Sequence, residues 1–372
     1  MQGNDVFGII FSNTNDEALS EMTNVRTMGS IPFAARYRLI DFPLSSMVNA
    51  NITKVGIITK SNYQSLMDHI GSGKAWDLSR KNDGIFMLPP FGLGTQGMYN
   101  SRTEALNGAM NFITKSDEKY VILSDSNLVA NVDYNALIDF HKKNGADITT
   151  VSAYAVPPSN CGRQVELVTD ENGKINDARI ISGGGEKTEF SLGIYIMERY
   201  LLIRLINEGM SKESPSFKRL SLTSKVGKLK LYAYKHEGFC HTIDSLSTYF
   251  NVNMDLLSYV NRKDLFNATR PVYTKSKDTM PTRYGLENTA KNVLIADGCD
   301  IEGEVENCII SRNVTVSKGA KVKNCIIMQD TFIGENAHIE YAILDKHVVV
   351  KPGKTLCGAD TYPIYISKST IL

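Results

Sequence analysis

The chain has 372 residues, more than one hydrophobic core usually organises, so at least two domains are expected. Its 41 basic and 40 acidic residues leave a formal charge of +1, which excludes a bulk cationic footprint for nucleic acid. No run approaches the ~18 consecutive apolar residues of a membrane span. The first seven residues lack a basic segment followed by an apolar one, so no secretory leader or membrane is expected and the expected location is cytoplasmic.

Residues 1–262 alternate between strand and helix signals. Strands are predicted at Val6–Phe11, Lys54–Thr59, Tyr120–Ser124, Asp147–Tyr154, Ser191–Met197 and Leu229–Tyr234, most rich in β-branched or aromatic residues. Ser101 with Glu104 three residues on is a capping-box signature, followed by Leu106, Ala109, Met110 and Ile113 on one helical face. A second helix is predicted over residues 134–143, closed by Asn144 and Gly145. This alternation predicts a Rossmann-like α/β domain, with a mostly parallel sheet covered on both faces and ligands beyond the carboxyl ends of its strands. Residues 263–291, with Asn267, Pro271 and Pro281 and no clear period, read as a linker.

From residue 292 the periodicity changes. Val305, Val322, Ile339 and Leu356 lie 17 residues apart, and Ile310, Val316, Ile327, Ile333, Leu344 and Val350 fill the intervals in steps of five or six. Neither a helix nor an alternating strand produces such steps. Three short strands per turn do, and stacked turns bury one continuous apolar ladder, a parallel β-helix over 292–372. Gly303, Gly319, Gly334 and Gly353 are expected to form its tight corners. Its histidines, His338 and His347, are read as solvated rather than as acyl-transfer residues. The six cysteines include no C-x-x-C pair and read as reduced thiols without zinc spacing.

An α/β domain followed by a left-handed β-helix is how sugar-nucleotide pyrophosphorylases are built. The run from Ile31 to Ser45, containing Tyr37, Arg38, Leu39, Ile40, Asp41, Phe42 and Pro43, closely resembles glucose-1-phosphate adenylyltransferase (ADP-glucose pyrophosphorylase). So do Ile243–Leu257 and Arg270–Thr274, and the similarity runs from residue 6 to about residue 358. The resemblance implies a nucleotidyltransferase domain at 1–262. The family reaction joins ATP and glucose 1-phosphate into ADP-glucose and pyrophosphate in bacterial glycogen synthesis. Such chemistry positions two polyanions and holds Mg²⁺ against the developing charge.

Against that pattern the phosphate and metal groups are missing. Where the family has a Gly-Gly-x-Gly-Thr-Arg loop, this chain has Asn13, Thr14, Asn15, Asp16, Glu17 and Ala18, so the arginine is Ala18 and two carboxylates enter. A carboxylate ~4 Å from a phosphate is opposed by about 4 kcal/mol at an effective dielectric near 20. The family's two metal aspartates align with Asn127 and Thr242, and its Arg-Ala-Lys-Pro lysine with Met28. Asparagine is a poor Mg²⁺ ligand beside a carboxylate. Asp125 and Asp244 are the nearest carboxylates and would serve as relocated ligands if the chain were active. On the sugar-phosphate side, Glu186, Lys187 and Ser191 correspond to family substrate contacts, and Arg26 and Arg38 to basic positions near the family's effector site.

The resemblance therefore implies the GlgD-type, catalytically impaired branch of the family. Such a chain would need no cofactor of its own, and Mg²⁺ would belong to a catalytic partner subunit. It would join that partner in a hetero-oligomer, expected to be a tetramer, and modulate it, with a sugar phosphate or nucleotide as effector. Two other expectations stay open: an active nucleotidyltransferase using Asp125 and Asp244, and a scaffold that senses sugar phosphate or nucleotide without turnover.

Overall fold

A computed structural model of the protein describes residues 3–90, 99–212 and 216–372. Its larger sheet runs in the order Ile175–Ile181, Gln164–Thr169, Thr188–Glu198, Tyr120–Asp125, Val6–Phe11, Lys54–Ile58, Gly84–Leu88. The last four strands are parallel. Thr188–Glu198 enters antiparallel and also pairs with Ile148–Ala155, which is parallel to Leu231–Lys235. Alternation along the strands explains the layers. Val6, Ile10, Val55, Ile57 and Ile122 point into one core, shared with Leu44 and Met47 of the helix Asp41–Asn49 and Leu137 of Tyr134–Lys143. Phe7, Ile9, Val121 and Leu123 point into the other, with Leu106 of Arg102–Gly108 and Leu202, Leu205 and Ile206 of Arg199–Ser211.

The predicted strands are present with ends shifted by a few residues, and the capping signature is real. Ser101 Oγ accepts the Glu104 N–H at 3.2 Å, while Glu104 reaches back to the Asn100 N–H at 2.8 Å. The edge strands Gly84–Leu88 and Ile175–Ile181, and Gln164–Thr169 beside the latter, are not among the predicted strands. All three are partly exposed, and Gln164–Thr169 and Ile175–Ile181 interrupt their apolar residues with polar ones, so these two lack the dense apolar run that marks a central strand. Among the described residues no helix is long and apolar enough to cross a membrane.

The C-terminal region is a parallel β-helix in the predicted register. Val305 stacks on Val322, Val322 on Ile339 and Ile339 on Leu356, while Ile310, Ile327 and Leu344 form a second ladder. Val316, Ile333 and Val350 form the third. Two details differ from the expectation. The first coil begins inside the segment read as a linker, because Arg283–Tyr284 already pairs with Asp300–Ile301, and the helix Tyr259–Leu265 crosses residue 262. The corners are also turned mainly by asparagine. Asn292, Asn307 and Asn324 adopt φ near +50° and link side chain to side chain at 2.8 and 3.2 Å. Gly319 and Gly353 do have positive φ. Gly303 and Gly334 do not, and are needed because a Cβ there would lie 2.5–2.6 Å from the backbone of a neighbouring coil.

The two regions share a core. Ile326, Met328 and Ile343 of the β-helix pack with Leu19, Met22, Phe33, Tyr249 and Phe250 of the α/β domain. The α/β domain is thereby fixed against the flank of the coil.

Candidate functional site

The cleft lies where the sheet's parallel centre ends, past Phe11 and Asp125, which are paired across neighbouring strands. The loop after Phe11 is closed on itself. Asn13 Oδ1 accepts the Lys60 N–H at 2.7 Å, and its amide donates to Asp16 Oδ2 at 2.5 Å and the Ser61 carbonyl at 3.2 Å. Asp16 Oδ1 accepts the Met28 N–H at 2.9 Å. Burial raises the Asp16 pKa against the pull of these bonds. The expectation that Asp16 projects charge into the triphosphate position is therefore corrected. Its carboxylate faces inward and takes up a backbone amide, while Glu17 is exposed to solvent. Ala18 packs beside the shared core and Met28 is fully buried in it, so neither position offers a cation.

The two degenerate metal positions do meet in the cleft. Asn127 and Thr242 both line a cavity of about 300 Å³, brought together because Leu128–Ala130 pairs antiparallel with Cys240–Thr242. Asn127 is spent on structure: its amide donates to the Ile243 carbonyl at 3.3 Å and to Cys161 Sγ at 3.5 Å. The relocated-ligand pair fares differently at its two members. Asp125 lines the cavity, but its carboxylate accepts the Thr14 hydroxyl at 2.8 Å and an ion pair from Arg102. Asp244 Oδ1 accepts the Thr248 hydroxyl at 2.6 Å and Oδ2 the Asn160 N–H at 3.1 Å, so it is engaged in tying loops together. The donor set thus does not fit Mg²⁺, which favours several free carboxylate oxygens. Among the described residues no three His, Cys, Asp or Glu side chains group as a metal site. Cys161 is no nucleophile either, since burial, then Asp244, pushes its thiol up to about 12.

The sugar-phosphate expectations divide. Ser191 lies in the cavity, its hydroxyl 2.6 Å from Thr150 Oγ1. It sits beside a bulge between Ser191 and Tyr195, where Gly193 adopts φ +80° and a Cβ would come 2.6 Å from Asp125 Oδ2. Glu186 and Lys187 are corrected: both are exposed in the loop before Thr188, and neither lines the cleft. Among the described residues, the cations that do line it are Arg102, Arg163 and Lys218, with Asp125 their one acidic companion. Lys218 Nζ donates to the Arg163 carbonyl at 2.8 Å and Gln164 Oε1 at 3.1 Å, and burial, then Arg102, lowers its pKa. Sequence reading missed all three. Arg102 did carry a signal, because a cation in the first turn of a helix opposes the macrodipole.

A second charged cluster joins the two regions. Arg26, 2 % exposed, forms a bidentate pair with the fully buried Asp345 at 2.9 and 2.7 Å, so it is a structural clamp rather than a solvent-facing effector contact. Asp345 also accepts the Tyr365 hydroxyl and the Lys346 N–H, both at 2.7 Å. Arg38 donates to the Ser65 carbonyl at 2.6 Å and its hydroxyl at 3.0 Å, with burial lowering its pKa to about 10. His69 bonds Asp41 at 2.6 Å, yet burial outweighs that carboxylate and lowers the imidazole pKa. Lys346 is only 8 % exposed and has no ion-pair partner among the described residues. Burial, then Arg38 and Arg26, drives its pKa down to about 6.

Comparison with known proteins agrees with this geometry. Residues 8–177 match the family described as nucleotidyl transferase, and residues 278–362 match the GlmU-like C-terminal hexapeptide family. Across 371 residues the chain is 37 % identical to the glycogen biosynthesis protein GlgD of Bacillus subtilis (strain 168), covering 100 % of this chain and 98 % of that one. It is 36 % identical to the GlgD of Geobacillus stearothermophilus, over 99 % and 97 % of the two chains. Identity to the glucose-1-phosphate adenylyltransferase of Thermosipho africanus (strain TCF52B) is 31 %, covering 86 % of this chain and 78 % of the other. A nucleotidyltransferase-type sheet, a hexapeptide coil and full-length likeness to these relatives converge: the chain belongs to the glucose-1-phosphate adenylyltransferase family, in its GlgD-type branch.

Proposed function

We propose that the chain acts in glycogen biosynthesis as the regulatory, catalytically impaired subunit of a glucose-1-phosphate adenylyltransferase hetero-oligomer, a hetero-tetramer with a catalytic subunit that carries the Mg²⁺. The observation that carries this reading is the pair Asn127 and Thr242 in the cleft at the metal positions, with the nearest carboxylate, Asp125, already paired to Arg102. A fold kept intact around a disabled metal site is what selection for assembly rather than turnover leaves behind. Its role is then to alter the partner's activity or effector response. Arg38, at a position that corresponds to the family's effector site and still cationic with its pKa lowered to about 10, is the candidate contact for an anionic effector, a sugar phosphate or a nucleotide.

Co-expression with a catalytic subunit, followed by size exclusion and assays with each chain separately mutated, tests the proposal. One co-eluting species whose kinetics differ from the catalytic subunit alone is expected. Separate elution with unchanged kinetics refutes it. Titration with ATP–Mg²⁺, ADP-glucose and fructose bisphosphate separates a modulator from a pure assembly scaffold. In an active enzyme with relocated ligands, Asp125→Asn would abolish turnover by the chain itself; the engagement of both Asp125 and Asp244 argues against that reading.

A further inference from the structure

Arg102 stands where the cleft would otherwise be continuous. It lines the cavity of about 300 Å³ that holds Asn127 and Thr242, and also a neighbouring one of about 270 Å³ that holds Asn13 and Lys60. Thr14 lines both as well, so the boundary is a bridge from the N-terminal loop to the helix Arg102–Gly108. Three contacts hold it. Thr14 donates to Asp125 Oδ1 at 2.8 Å, the Arg102 guanidinium pairs with the same carboxylate, and its central carbon lies 4.4 Å from the centre of the Phe11 ring.

The side chains of Arg102 and Asp125 are 15 % and 9 % exposed, so solvent screens their attraction little. Helix stability does not explain an arginine here, since the position opposes the dipole. Its Nη1 is moreover buried without a hydrogen-bond partner among the described residues, a state that calls for a local reason. Each chamber alone sits at the bottom of the ~300–1,000 Å³ range of small-molecule pockets, and the two joined would fall well inside it.

We propose that Arg102 is a built-in partition: clamped to Asp125, it closes the cleft to any ligand long enough to span both chambers, a nucleoside diphosphate sugar above all, and so sets which ligands the remnant site admits. The inference rests on reading the chain as a subunit without turnover, and it names the side chain that enforces that state at the level of binding. Losing metal anchors weakens catalysis but leaves room for a nucleotide. A partition removes the room.

Isothermal titration of the full chain with ADP-glucose tests this, because the probe carries nucleoside and sugar at its two ends. The native chain should bind no tighter than about 1 mM, and Arg102→Ala should bind at least about tenfold tighter. Arg102→Ala with Asp125→Asn, which also removes the bare carboxylate facing the diphosphate, should bind tighter again. Melting curves establish that each variant is folded. Native affinity within about threefold of both variants, or no gain in either folded variant, overturns the partition. ADP-glucose synthesis by the native chain alone is a separate readout: it removes the subunit reading, whereas an inert chain without gain of binding removes only the partition.

Discussion

Among the arginine–aspartate pairs of this molecule, Arg26–Asp345 and Arg102–Asp125 both link distant segments, and their settings differ. Arg26–Asp345 is sealed at the junction of the domain and the coil, with side chains 2 % and 0 % exposed and two parallel hydrogen bonds. Arg102–Asp125 sits in the wall of a cleft, with cavities on either side. The first has further acceptor sites filled by Tyr365 and the Lys346 amide; the second leaves one guanidinium nitrogen without a partner among the described residues. The same chemistry therefore acts as a rivet in one place and as a door bolt in the other. What separates the two pairs is their setting, one sealed between domain and coil and the other standing between two cavities.

The largest effect should come from breaking the rivet. Asp345→Ala strands Arg26 in the core and should lower unfolding stability by about 3–5 kcal/mol in denaturant titration. Arg26→Met with Asp345→Leu should recover most of that loss, since the buried charge leaves with its partner. A loss below about 1 kcal/mol in the single variant would show the pair to be hydrated and the contrast false.

The neighbouring Lys346 sharpens the comparison through pH. Its folded pKa of about 6 lies below the unfolded value of 10.5, so the unfolded chain binds the extra proton between those limits. Native stability from this group therefore rises with pH across that window, by up to ~1.4 kcal/mol per unit, and is lowest below pH 6. Lys346→Met should be more stable than the native chain near pH 6.5, with an advantage that shrinks toward pH 9.5. An advantage independent of pH would show that Lys346 stays charged when folded.

The coil was legible in the sequence because one rule repeats. Val305, Val322, Ile339 and Leu356 each report the same inward position, so every coil confirms the last. The central strands were legible for a related reason, since burial on both faces demands a dense apolar run. The corners were harder: asparagine replaces glycine at φ near +50°, a tolerance that composition alone does not announce. The cleft was legible only by alignment to family positions. Alignment identified Asn127 and Thr242 but not where side chains turn, which is why Asp16 was read as facing a phosphate and Lys187 as reaching one. Arg102, Arg163 and Lys218 come from three separate segments, and nothing in their spacing announces that they converge.

Smaller effects bear on the bolt. Ser101→Ala removes the cap that fixes the start of the helix carrying Arg102 and should lower stability by about 1 kcal/mol. Lys187→Ala, altering an exposed loop residue away from both cavities, should change stability by less than about 0.5 kcal/mol and leave any anion binding in the cleft untouched. Loss of phosphate-ligand binding in that variant would restore Lys187 to the site.

The central claim is that a cleft whose magnesium anchors are an amide and a hydroxyl supports a partner rather than performing the reaction. Its most direct test is ADP-glucose formation from ATP, glucose 1-phosphate and Mg²⁺ by the purified chain alone, alongside its Asp125→Asn variant. The account predicts no product above the no-protein control from either. Turnover by the native chain that disappears in Asp125→Asn would contradict it.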